Sequence, residues 1–201
     1  IGSGCAVNVL KLAGEINSLI RLGVSLENRL FISHRCSIVQ PHHIVFDLEH
    51  GTAIGTTGNG IGACYADQSI RMKSGARTGL QLKDLGQDEI SAFAIMQRNL
   101  TASRSENQVS DSDRQALIAL KSAWDFVKQF VTEDDLLLTE KVKAGSRVLF
   151  EGAQSVLLDV SLGEQPYVTS SRTGPSYAYV GGDLSCRYHR KSIGVIKAIM
   201  S

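Results

Sequence analysis

Eight consecutive residues, Gly55-Thr56-Thr57-Gly58-Asn59-Gly60-Ile61-Gly62, carry the densest chemical signal in the chain. Glycine at this density lets a backbone turn sharply and present several N–H groups at one place, and the two threonine hydroxyls add donors beside them. Such a loop suits an anion, a phosphate above all. A purely structural turn accounts for the same residues equally well. Gly58-x-Gly60-x-x-Ala63 nominally fits the dinucleotide fingerprint, but a strand of only a residue or two precedes it. No Gly-Lys pair occurs anywhere, which excludes a Walker A loop.

Two further stretches have functional types at useful spacing. Phe150-Glu151-Gly152-Ala153-Gln154 follows an apolar run, and binding groups in α/β proteins collect beyond the carboxyl ends of strands. The Gln154 amide can hydrogen-bond both a carbonyl and a ring N–H, as purine recognition requires. Tyr167-Val168-Thr169-Ser170-Ser171 is a second hydroxyl cluster able to hold phosphate. Read alone, each is also an ordinary polar turn. The five histidines lack metal-site spacing: His42, His43 and His50 are not i, i+4 and have no matching carboxylate, so no metal is assigned. Arg71, Lys73 and Arg77 read as a solvated helix face or as cations available to a phosphate.

Several elements must position these groups. Asn8 is placed to cap a helix to about Leu22 that Gly23 stops, with Leu12, Ile16, Leu19 and Ile20 on its inner face. Arg29 to Ser33 and Cys36 to Val39 read as short strands. Pro41 opens a helix to about Leu48, and 51–62 form the glycine-rich loop. A helix is expected from Gln87 to Leu100, with Ile90, Phe93, Ala94 and Met96 inward. A stronger one runs from Asp111 or Asp113 to about Val131 through Leu117, Leu120, Trp124 and Val127. Another covers Asp134 to Lys143, and Arg147 to Phe150 reads as a buried strand. Helices alternating with short strands predict an α/β fold.

Composition bounds the rest. The 201 residues carry 21 basic and 20 acidic side chains for a net charge of +1, which excludes nucleic-acid binding through bulk positive charge. No apolar run approaches the roughly 18 residues of a membrane span. Cys5, Cys36, Cys64 and Cys186 are widely spaced, which points to free thiols and a cytoplasmic setting. The chain opens on Ile1-Gly2-Ser3-Gly4 without an initiator Met and closes on an apolar stretch, as a piece of a longer protein would.

Taken together, the motifs name a family. The glycine-rich octet followed by Tyr65, Asp67 and Arg71, then Phe150 to Gln154 with Leu157-Leu158-Asp159, then Pro166 to Ser171, resembles adenylosuccinate synthetase in order and wording. Ile1 to Gly4, Arg187-Tyr188 and Gly194 to Ala198 fit the same order. The resemblance implies a mainly parallel central sheet flanked by helices, in a P-loop-like, GTPase-related architecture incomplete at both ends. Residues 1–201 would be the central part of one domain, with a helical insertion at about 80–145. It further implies a ligase of purine biosynthesis that joins L-aspartate to IMP with GTP and Mg2+, through a 6-phosphoryl intermediate. Thr57 and Thr169 would hold the IMP 5′-phosphate, with Thr56, Gly58 and Gly60 supporting the loop. Gln154 would face the purine 6-oxygen, where a fixed dipole favours developing charge. Arg71 would cross a homodimer interface to the neighbouring subunit's nucleotide.

Departures qualify the resemblance. The family's catalytic phosphate loop and general-acid histidine are expected upstream of Ile1, and its guanine and aspartate motifs downstream of Ser201. The chain would then supply mainly the IMP-binding part and be inactive alone. Asn59 stands where the family commonly has arginine, and Gln68 where it has lysine. Residues 172–186 lose the usual run of small residues. A truncated, non-catalytic nucleotide-binding paralogue, or a ligase using another acceptor such as dGMP, stays open.

Overall fold

The computed structural model describes residues 1–104, 108–196 and 198. Lys197 of the family-like closing stretch and residues 105–107 of the linker-like segment lie outside them. In chain order the elements are β1 (Ala6–Val7), α1 (Val9–Arg21), β2 (Ile32–Ser33), β3 (Ser37–Ile38), α2 (Pro41–His50), α3 (Ile61–Ile70), β4 (Met72–Lys73) and β5 (Ala76–Arg77). There follow α4 (Leu82–Gln87), α5 (Glu89–Ala102), α6 (Asp111–Val127), β6 (Val131–Thr132), α7 (Leu137–Lys143) and α8 (Tyr177–Gly181).

The class is α/β, with parallel strand pairs flanked by helices. β1 runs parallel to β3 in the register Ala6↔Ser37 and Val7↔Ile38, and β2 parallel to β6 with Ile32 opposite Val131. β3 is buried along its length, as parallel strands covered on both faces are. Around it the core gathers Val9 and Ile16 of α1, Leu82 and Leu85 of α4, Met96 of α5, and Trp124 and Val127 of α6.

Local signals fix most helix ends. Lys11 N–H donates to Asn8 Oδ1 at 3.1 Å, and Gly23 leaves α1 at a φ of 81°. Ser110 caps α6 in a reciprocal pair with Asp113. The inner faces differ from the expected ones. α1 buries Val9, Ala13 and Ile16, while Leu19 and Ile20 are exposed. α5 buries Ala92, Met96, Asn99 and Leu100, while Ile90 is 85% exposed. In both helices the buried stripe follows i, i+4, i+7 but is rotated from the largest side chains, because neighbouring elements, not residue size, choose the face.

Two local expectations are overturned. Arg147 to Phe150 forms no strand, since no strand edge pairs with it among the described residues, and Leu149 is 82% exposed. Phe150 instead meets Tyr179 edge-on, with ring centroids 5.6 Å apart. The basic stretch 71–77 is not a helix face. It is the β4–β5 hairpin, turned by Ser74 (φ 51°) and Gly75 (φ 75°), and Arg77 pairs with Asp84 at 2.6 Å. The helix lies just before it, as α3.

Candidate functional site: a glycine-rich anion loop facing a second hydroxyl segment

The loop before α3 is built on left-handed glycines, with φ 66° at Gly58 and 71° at Gly60. At Gly60 the requirement is double. A Cβ there would stand 2.9 Å from the backbone carbonyl carbon of His43, so α2 and α3 approach too closely for another residue. Left-handed glycines on either side of Asn59 are the kind of backbone in which neighbouring N–H groups can converge on an anion. Thr57, Gly58 and Asn59 N–H find no partner among the described residues. Gly60 N–H is not free, because Asp47 Oδ2 accepts it at 2.8 Å. The expectation of open amides therefore holds for the outer part of the loop only.

Thr57 is exposed at the rim, and its Oγ1 accepts from Asn59 Nδ2 at 2.7 Å. Lys11 Nζ, from the first turn of α1, donates to Asn59 Oδ1. Thr56 points the other way, towards Gly51, whose carbonyl accepts Thr56 N–H at 3.2 Å.

The second hydroxyl segment reaches the same place. A Cβ at Gly62, in the first turn of α3, would lie 3.4 Å from Ser170 Cβ. Neighbouring Thr169 is half-buried, with its N–H bonded to Leu158 carbonyl at 2.8 Å. Asp159 shapes this segment. Its buried carboxylate accepts Ser161 N–H at 2.8 Å and Thr173 N–H at 2.6 Å, and also Leu162 and Gly174 N–H. The Ser161 and Thr173 amides hold its pKa below the usual carboxylate value.

Gln154 is exposed and carries a φ of 63°, a conformation non-glycine residues enter at a cost of about 1 kcal/mol or more. Such strain persists only where surroundings or function require it. Arg71 closes α3, also left-handed at φ 66°, with its side chain exposed. Thr57 and Thr169 thus belong to adjoining segments, and Arg71 lies at the far end of α3 from the loop.

Behind the loop a buried polar chain ties α2, α3 and α5 together. Asn99 Nδ2 donates to Gln40 Oε1 at 3.0 Å, Gln40 N–H to His43 Nδ1 at 3.0 Å, and Gln40 Nε2 to Thr78 carbonyl at 2.8 Å. His43 Nε2 and His42 Nε2 both meet Asp67 Oδ2, at 3.1 and 2.8 Å. Burial pushes the His43 pKa down, so the ring is neutral. Burial also works to raise Asp67, but the hydrogen bonds from His42 and His43 outweigh it and hold this carboxyl well below the usual range. The sequence reading found no carboxylate for these histidines. Asp67 is that carboxylate, supplied by the next helix. With Nδ1 of His43 accepting a backbone N–H, Nε2 must carry the proton. A metal-bound histidine shows the reverse polarity, donating from its free nitrogen, so this cluster is a hydrogen-bonded brace.

Sequence reasoning missed Lys11, Asp47 and the pairing of His42 and His43 with Asp67. Their partners lie on other elements, and only the Tyr65-Ala66-Asp67 motif hinted at one. A surface cavity of about 580 Å³ between α5 and α6, lined by Gln97, Thr101, Arg114 and Leu117, touches none of these groups.

The profile of the family described as adenylosuccinate synthetase matches residues 1–201. This chain belongs to the adenylosuccinate synthetase family. It is 54% identical over 202 residues to adenylosuccinate synthetase 2 of Cupriavidus pinatubonensis, an alignment covering 100% of this chain and 43% of that protein. The adenylosuccinate synthetase of Chlorobium limicola is 36% identical over 211 residues, covering 100% and 47%. Among solved structures, the fully ligated adenylosuccinate synthetase from Plasmodium falciparum superposes with a TM-score of 0.79 at 25% identity, over 92% of this chain and 43% of that one. The chain thus spans somewhat under half the length of these family members.

Proposed function

We propose that this chain carries the acceptor-nucleotide half of an enzyme that ligates IMP and L-aspartate to adenylosuccinate in purine biosynthesis, at the expense of GTP. The observation that carries this reading is the approach of Ser170 to Gly62, close enough that a Cβ there would touch it, which brings the two hydroxyl segments near each other. Thr57 and the free amides of the loop would hold the 5′-phosphate from one side and Thr169 from the other, each through hydrogen bonds to charged oxygens. Gln154, held in a strained conformation on an exposed turn, would present its amide to the purine 6-oxygen. Arg71, at the end of α3, would reach the nucleotide of a second subunit in a homodimer.

Family membership implies GTP and Mg2+. The His42, His43 and Asp67 cluster does not suit Mg2+, which prefers an all-oxygen octahedron, and the His43 Nε2 proton is committed to Asp67. No step is therefore assigned to these residues through the metal, and the 201 residues by themselves would turn over no GTP. Among the described residues no helix is long and apolar enough to cross a membrane. All four cysteines are free, and burial pushes the Cys36 and Cys64 thiols up to about 12, which leaves both unreactive; a cytoplasmic setting remains part of the proposal.

Thermal unfolding of the full-length protein with IMP or dGMP tests the reading. IMP should raise the Tm, and T57A and T169A should each weaken IMP binding by about tenfold, the scale of one hydrogen bond to a charged group. A larger shift with dGMP would reassign the acceptor. No shift with either at saturating concentration would overturn nucleotide binding.

A further inference from the structure

We propose that Lys11 and Asn59 form a relay that arms Thr57 for a phosphate monoester, with Lys11 as the positioning cation of the loop; this rests on the nucleotide reading above. Residues 55–62 contain no basic side chain, and the Asp47 carboxylate sits behind them on Gly60 N–H. An approaching dianion would therefore meet a loop that has no basic side chain of its own and a carboxylate behind it. Lys11 offsets it. Its backbone is fixed by the Asn8 cap in the first turn of α1, and its ammonium reaches across to Asn59 Oδ1. That acceptor is neutral, so the ammonium charge is not spent on a carboxylate within the contact.

The contact also decides which way the Asn59 amide faces. An ammonium has donors only, so it must meet the amide oxygen, and the amide nitrogen is left to face Thr57. Asn59 Nδ2 then donates to Thr57 Oγ1 at 2.7 Å, which occupies an acceptor site on the hydroxyl and leaves its proton free. That proton is left available to a phosphate oxygen, beside the amides of Thr57, Gly58 and Asn59, which have no partner among the described residues. Without Lys11 the amide could turn over, draw the Thr57 proton onto its own oxygen and remove the donor from the site.

The test is calorimetric binding of IMP, and of inosine as the ligand without phosphate, to full-length protein carrying K11M, K11R, N59D or T57A. K11M should weaken IMP binding by about tenfold, as loss of one charge-assisted contact does, and leave inosine within about twofold. The penalty should shrink as ionic strength rises, because a charge effect is screened and a packing effect is not. K11R should recover part of the affinity. N59D should match the loss of T57A although Lys11 is intact, because an added carboxylate beside Thr57 would accept the hydroxyl's hydrogen bond and withdraw the donor from the phosphate. If T57A loses affinity while K11M binds IMP within about twofold of the parent at low salt, the relay is wrong and the nucleotide reading stands. If the parent binds neither IMP nor inosine, the nucleotide reading falls and takes the relay with it.

Discussion

Residues up to Gly145 and residues beyond it are held by different forces. The first region buries almost the whole apolar core on α1, β3 and α4 to α6 and adds the polar chain from Asn99 to Asp67. In the second, Asp159, Gly182 and Leu184 are the buried residues among those described, and Leu157 is 79% exposed. There, order comes from amides converging on Asp159. The candidate site spans this divide, with Thr57 on the packed side and Thr169 and Gln154 on the tethered side. One wall of the site is therefore preformed, and the other is held by a handful of hydrogen bonds, the low-stability kind of segment that ligands order.

A pair of truncations breaks the comparison most directly. Leu82→Ala, at a fully buried position, should cost about 2–5 kcal/mol in urea unfolding, whereas Leu157→Ala should stay within about 0.5 kcal/mol. Equal losses would show that the second region has an apolar core of its own. Next in size is Gly60→Ala, which adds a Cβ against α2 in a left-handed conformation. About 1–3 kcal/mol should be lost, and IMP affinity with it. Asp159→Asn should leave the unfolding midpoint nearly unchanged while amide exchange at Ser161 and Thr173 accelerates by about tenfold, since the tethers report on local opening. Unchanged exchange there would mean that other contacts hold the segment.

The smallest effect is the near-neutral part of the pH dependence, which His43 gives to the packed side. His43 is neutral in the fold with its pKa lowered, whereas the unfolded chain takes up a proton near the ordinary histidine value of about 6.5. Stability is therefore full above that value and declines as pH falls below it, and Asp67, also lowered, adds a loss in the same direction at more acid pH. His43→Gln should flatten the slope between about pH 6.5 and 5 whatever it does to the absolute midpoint.

The same divide separates what was legible in the sequence. Asn8, Gly23 and Pro41 act within a turn of themselves, so the ends of α1 and the start of α2 could be read directly. The loop and the Thr169 segment could be found because glycine and hydroxyl density is local. Arg147 to Phe150 misled because a strand needs a partner that no local pattern supplies, and α3 was hidden behind a run of glycines that serve as its entry. Lys11 on Asn59 and Asp67 on His42 and His43 join residues on different elements. Spacing along the chain carries no trace of such contacts.

α3 begins at the glycine-rich loop and ends at Arg71, with Gly60 wedged against α2 at one end and Asp67 clasped by two imidazoles near the other. Its ten residues make a rod of about 15 Å. A rod gripped at two points cannot bend to suit one end alone. A tilt imposed at the loop would therefore reach the arginine as a displacement, with the histidine brace as its pivot.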